Sequence, residues 1–206
     1  MSENRKPYIV GIGGTQRPGS SSELALRYCL SAAEKAGAEI DIICGAALEL
    51  PLFDPGVTHR TPATLRLIQA LRRADGIVIA TPSYHGGMSG MIKNAIDYTE
   101  DMREDARSYF EGRAVGCIVC AAGDQALGSG LIGLRMIVHA LRGWPTPYAA
   151  TIKSNDKPFV DGQPAKREVA QALEIVAAQV VDFAHMATAA RAEGEPASAP
   201  RLVAAN

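Results

Sequence analysis

Short apolar runs alternate along the chain with longer segments in which apolar residues recur every three to four positions. The runs Tyr8 to Gly13, Glu39 to Cys44, Gly76 to Ala80, Ala114 to Cys120 and Tyr148 to Ile152 read as strands, because nearly continuous apolar character marks strands covered on both faces. The intervening stripes predict helices. Ala25, Cys29, Ala32, Ala33 and Ala36 mark the first, which a Ser20/Glu23 capping box opens and Gly37 stops. The second covers about Ala63 to Ala74, the third Ser89 to about Met102, the fourth Ser129 to Leu141 and the fifth Lys166 to about Ala189.

Five strands in strict alternation with five helices predict α/β architecture: a flavodoxin-like three-layer sandwich, a five-stranded parallel sheet with helices on both faces. Residues 1–190 are expected to form one domain, and 191–206, rich in Pro, Ser and Ala without period, a flexible tail. In such a sheet ligands bind beyond the carboxyl ends of the strands, where strand order reverses. The loops after the first, third and fourth strands are therefore the places to look for chemistry.

Composition narrows the partners. With 21 Lys plus Arg against 22 Asp plus Glu, in 206 residues that are 47% hydrophobic, a packed core is expected and no field that would recruit nucleic acid or anionic membrane. No apolar run reads as a bilayer span and the start lacks a signal-peptide pattern, so a cytoplasmic location is expected. Cys29, Cys44, Cys117 and Cys120 read as buried small hydrophobes and no metal site is expected, since Cys117 and Cys120, three apart on a strand, point to opposite faces.

The first loop, Gly13 to Glu23, carries Thr15, Arg17 and the run Ser20, Ser21 and Ser22 into a helix N-terminus. Free backbone N–H groups, the positive end of the helix dipole, hydroxyls and a guanidinium together suit a phosphate. An ordinary Gly/Ser turn with a solvated arginine is the duller account. The chain has no G-K-[ST], no third glycine of a dinucleotide fingerprint, and Cys44 and Gly45 in place of a ribose-binding carboxylate. In the second loop, Thr81 to Gly90, Pro82 would end the strand; Ser83, Tyr84, His85 and Gly86 could form a slot for a flat ring. The third, Ala121 to Gly130, offers Gly123, Asp124 and Gln125 to the polar edge of a heterocycle. No G-x-S-x-G supplies a hydrolase nucleophile.

Together these loops resemble the NADPH-dependent FMN reductase family. Gly14, Thr15, Arg17, Ser20 and Ser22 are similar to its phosphate loop, with threonine for its first serine and Ser22 for its asparagine. Pro82 to Asp97, PSYHGGMSGMIKNAID, is the closer likeness. The resemblance implies FMN as cofactor and NADPH or NADH as reductant. Thr15, Arg17, Ser20 and Ser22 would hold the phosphate, Pro82 to Gly86 would line the isoalloxazine, and Gly123, Asp124 and Gln125 would approach its pyrimidine side. Lys93 and Asn94 would orient loop and helix. Hydride would pass to flavin N5, so no catalytic side chain is required. The resemblance further implies a homodimer or homotetramer and a flavin-dependent monooxygenase that receives reduced flavin. A quinone, chromate or azo-type reductase and a non-enzymatic flavodoxin-type electron carrier are the alternatives.

Overall fold

The computed structural model describes residues 5–192. In chain order the elements are β1 Tyr8–Gly13, α1 Ser21–Lys35, β2 Glu39–Cys44, α2 Pro62–Arg73, β3 Gly76–Tyr84, β4 Gly87–Met88, α3 Gly90–Asp97, β5 Ala114–Ala121, α4 Asp124–Ala140, β6 Trp144–Pro145, β7 Ala150–Lys153, β8 Phe159–Val160, β9 Gln163–Pro164 and α5 Arg167–Ala192. The sheet runs β2-β1-β3-β5-β6, with β7 also paired to β5 and the short β4 folded back on β3. All its ladders are parallel except β3 with β4. This is the flavodoxin-like order, and strand order reverses between β1 and β3.

Successive side chains of a strand face opposite ways, and here each way is covered. Val10, Ile12, Ile77, Ile79, Cys117 and Val119 pack under α2, α3 and α4, while Ile9, Val78, Ala80, Ile118 and Cys120 pack under α1 and α5. Cys117 and Cys120 thus lie on opposite faces. The helices of the second layer sit very close: a Cβ at Gly116 would stand 2.6 Å from Val176 Cγ1 of α5. By length and composition α5 is apolar enough to cross a membrane, a property the sequence reading did not register. Its residues Leu173, Val176, Val180 and Ala184 are buried against the sheet and α1.

At the amino end of the strands a charged network ties distant segments together. Asp75, 1% exposed, accepts two hydrogen bonds from Arg5 at 2.8 and 2.9 Å, one from Tyr8 N at 2.9 Å and one from Arg191 at 3.2 Å. Beside it the buried Arg113 donates to the carbonyls of Ala74, Tyr109, Glu111 and Arg72. Burial first, then the neighbouring Arg107 and Arg191, lower its pKa to about 9, so it stays charged at neutral pH.

Several boundaries depart from expectation. β3 runs through Pro82, which pairs with Cys120, because a parallel ladder near its end leaves room for a residue without N–H. The third helix stops at Asp97 and Tyr98–Met102 continues as a 3-10 turn. The fifth strand is broken into β6 and β7, with Tyr148 outside both. The expected fourth helix starts five residues earlier, so Asp124 and Gln125 occupy the first turn of α4 instead of a loop. Cys44 is half-buried, since it ends the edge strand β2. Arg191 and Ala192 close α5; the rest of the expected tail, 193–206, lies outside the described residues.

Candidate flavin cleft

The first loop is drawn tight by its own side chains. Gly14 turns with φ +89° and its N–H reaches Ala80 O of β3 at 3.1 Å. Thr15 Oγ1 accepts from Arg17 N at 3.1 Å, Ser20 Oγ accepts from Glu23 N at 3.4 Å as the N-cap of α1, and Glu23 Oε2 accepts from Gly19 N at 3.0 Å. Among the described residues no hydrogen bond engages the amides of Thr15, Gln16, Ser20, Ser21 and Ser22. Five donors, three of them at the N-terminus of α1, are thus left for an anion, and the exposed Arg17 belongs to the same loop.

The second segment is a hairpin rather than an open loop. His85 at φ 51° and Gly86 at φ 84° form a two-residue turn between Tyr84 and Gly87, the left-handed pair that suits the twist of a hairpin. Thr81 Oγ1 accepts from Ser89 N at 3.1 Å and so closes its base. Tyr84 is half exposed, His85 is exposed, and Pro82 and Ser83 are buried. Ser83 Oγ is buried without a hydrogen-bond partner among the described residues, as are Arg107 Nε and Arg135 Nε.

These two segments share one cleft of about 650 Å³, lined by Thr15, Gln16, Arg17, Tyr84, Ser89, Gly90 and Met91. Its size falls within the range of small-molecule sites. Of the expected residues, Thr15, Arg17 and Tyr84 line it, and Ser20, Ser21 and Ser22 continue the first loop into α1. Gln16, Ser89, Gly90 and Met91 were not singled out from sequence. Ser89 is the N-cap of α3, accepting from Ile92 N at 3.3 Å, so a second helix N-terminus opens on the cleft; an N-cap serine ahead of an apolar stripe was the available signal.

Gly123, Asp124 and Gln125 do not line the cleft. Gly123 precedes α4, Asp124 pairs with Lys153 at 2.8 Å, and the Gln125 carbonyl accepts from Ser129 Oγ at 2.9 Å. They adjoin the hairpin through α4, where Cβ atoms at Gly86 and Gly130 would fall 3.2 Å from Ser129 Oγ and 2.6 Å from Ser83 Oγ. Asn94 holds the segment after β2, accepting from Phe53 N at 2.8 Å and donating to Pro51 O at 2.8 Å, while Lys93 pairs with Asp97. Asn94 thus fixes the backbone at Pro51 and Phe53, while Lys93 makes a surface ion pair along α3.

The free amides of the cradle and the half-exposed Tyr84 ring fit a flat ligand with a phosphate. Comparison with known proteins points the same way. The model of the NADPH-dependent FMN reductase family matches residues 7–157. An NADPH azoreductase of Bacillus sp. (strain OY1-2) is 31% identical over 64% of this chain and 66% of its own length. An NAD(P)H-dependent FMN reductase of Pseudomonas aeruginosa is 30% identical over 60% and 63%. The chain thus spans roughly two thirds of these relatives' length. Among solved structures, a flavoenzyme NAD(P)H:(acceptor) oxidoreductase from Paracoccus denitrificans superposes with TM-score 0.71 over 87% of this chain and 98% of its own, at 20% identity, which attests the fold. Since the matched span runs from the start of β1 past β7 and takes in both the anion cradle and the hairpin, the chain belongs to the NADPH-dependent FMN reductase family.

Proposed function

We propose that the protein is a cytoplasmic NAD(P)H-dependent FMN reductase, binding FMN between the Thr15–Ser22 cradle and the Tyr84 hairpin. The observation that carries this reading is the single cleft shared by an anion-ready loop and an exposed aromatic ring. FMN, when bound, supplies the hydride acceptor for reduced nicotinamide. The protein's share is to bind and orient. The free amides from Thr15 to Ser22 and the Arg17 guanidinium would take the phosphate, and Tyr84 and the turn at His85 and Gly86 would border the ring. The N-termini of α1, α3 and α4 lie at this end of the sheet, and their dipoles favour the negative charge of phosphate and of reduced flavin.

The test is direct. Purified protein is mixed with FMN and NADH or NADPH and the nicotinamide absorbance is followed. Flavin-stimulated oxidation is expected, and its absence with both nucleotides overturns the reading.

The similarity to an azoreductase favours a second reading in which FMN stays bound and passes electrons to an azo dye or quinone. Turnover of such acceptors without added free FMN distinguishes it from delivery of reduced flavin to a monooxygenase. A second copy of this chain is the proposed partner in assembly. Ile132 and Met136, 64% and 67% exposed on α4, offer apolar side chains on the same helix as a groove lined by Ile137, Ala140 and Leu141 together with Lys93, Asp97 and Glu100, a mixed surface on which two helices could meet.

A further inference from the structure

Glu23 brings a negative charge into the loop that is to receive one. Its Oε2 accepts from Gly19 N at 3.0 Å and its Oε1 accepts from Arg27 Nε at 2.9 Å. Arg27, half-exposed and also 3.3 Å from Cys44 Sγ, offsets that carboxylate only in part. Arg17 and Arg27 against Glu23 leave the cradle one formal positive charge, facing a phosphate that carries close to two negative charges at neutral pH. A carboxylate bound to a cradle amide is in effect an anion already in place.

Resting on the FMN reading above, we propose that Glu23 sets the strength of phosphate binding: as a built-in competing anion it keeps FMN exchangeable, a flavin taken up and released rather than a resident group. The same contact also closes a helix cap, and glutamine separates the two roles. Its side-chain carbonyl keeps the bond to Gly19 N while the charge is removed.

The experiment is an equilibrium titration of FMN and of riboflavin, followed by flavin fluorescence, on the unsubstituted chain and on Glu23→Gln. At low salt the variant should bind FMN about tenfold more tightly, with a gain that shrinks as salt is added, and riboflavin affinity should move less than about twofold, since riboflavin carries no charge for Glu23 to repel. In an Arg27→Met background, where the carboxylate is unscreened, the gain from Glu23→Gln should be larger. Unchanged or weaker FMN binding, equal tightening of both flavins, or an undiminished gain in high salt would each overturn the proposal. If the unsubstituted chain binds neither flavin, the FMN reading itself falls. If it binds FMN and Glu23→Gln binds it equally, only the role of Glu23 falls.

Discussion

The two ends of the sheet put most of their polar groups to opposite uses, with Arg107 Nε at the amino end, buried without a partner among the described residues, as an exception. At the amino end Asp75 is buried and carries four hydrogen bonds, and Arg113 spends its guanidinium on four carbonyls. At the carboxyl end five amides of the first loop have no partner among the described residues, and Arg17 is exposed. Saturated polar groups stabilise because leaving one unpaired in the interior is costly. Open ones at a cleft hold donors ready for a ligand, and the comparison therefore assigns stability to one end and binding to the other.

The largest effect should come from breaking the saturated end. Asp75→Ala leaves Arg5, Arg191 and Tyr8 N without their shared acceptor and should lower the unfolding free energy by about 3 kcal/mol or more. Urea denaturation measures this. The FMN-over-riboflavin preference of the folded variant should not move; a shift in that preference would break the division between the ends.

Arg17→Ala is the converse. FMN binding should weaken about tenfold and riboflavin binding should hold, because the lost contact is to phosphate. Unfolding free energy should change by less than about 0.5 kcal/mol, as for other exposed positions. Equal weakening of both flavins would deny Arg17 its place in the cradle.

A smaller effect tests the amino end through pH. Burial, followed by the hydrogen bond to Asp41 and that residue's charge, raises the Tyr8 hydroxyl to about 12 from 10. The protonated form is the one favoured in the folded chain, so its contribution is complete below pH 10 and lost as pH rises through 12. Allowing for solvent screening, about 1 kcal/mol should disappear over that interval. Thermal unfolding of Tyr8→Phe should be correspondingly flatter there.

The last prediction concerns rate rather than energy. Burial pushes Cys29, Cys117 and Cys120 up to about 12; burial also raises the Cys44 thiol, partly offset by Arg27, but that side chain is only half-buried and so within reach of solvent. A thiol reagent should therefore modify Cys44 in the native protein and the other three only on unfolding. Mass spectrometry of the modified peptides checks it.

What could be read from sequence follows the range of each interaction. β1 lies where its apolar run puts it, because a strand covered on both faces writes its burial into consecutive residues; β2 also lies where expected, although on this edge strand only Ile43 is buried. The start of α4 did not, since Gly123, Gly128 and Gly130 look like a loop. Gly130 suits the helix because Ser83 presses against it from another segment, a fact no local window contains. Thr15, Arg17 and Tyr84 were recoverable from the order strand, loop, helix. Gln16, Ser89, Gly90 and Met91 meet at the cleft only because the hairpin folds back across the first loop. The Asp75 network was illegible for the same reason, joining Arg5, Asp75 and Arg191 across nearly the whole chain.

The broken fifth strand has a consequence for how copies of this chain can meet. Pro145 and Pro147 interrupt the border formed by Trp144–Pro145 and Ala150–Lys153, so that rim offers an incoming strand a gapped row of donors. At the opposite rim Asp41 and Glu39 of β2 are tied to Arg66 and Arg73. Neither margin is a good template for further strands. Growth of the sheet from molecule to molecule is discouraged at both borders, a safeguard against fibrous stacking.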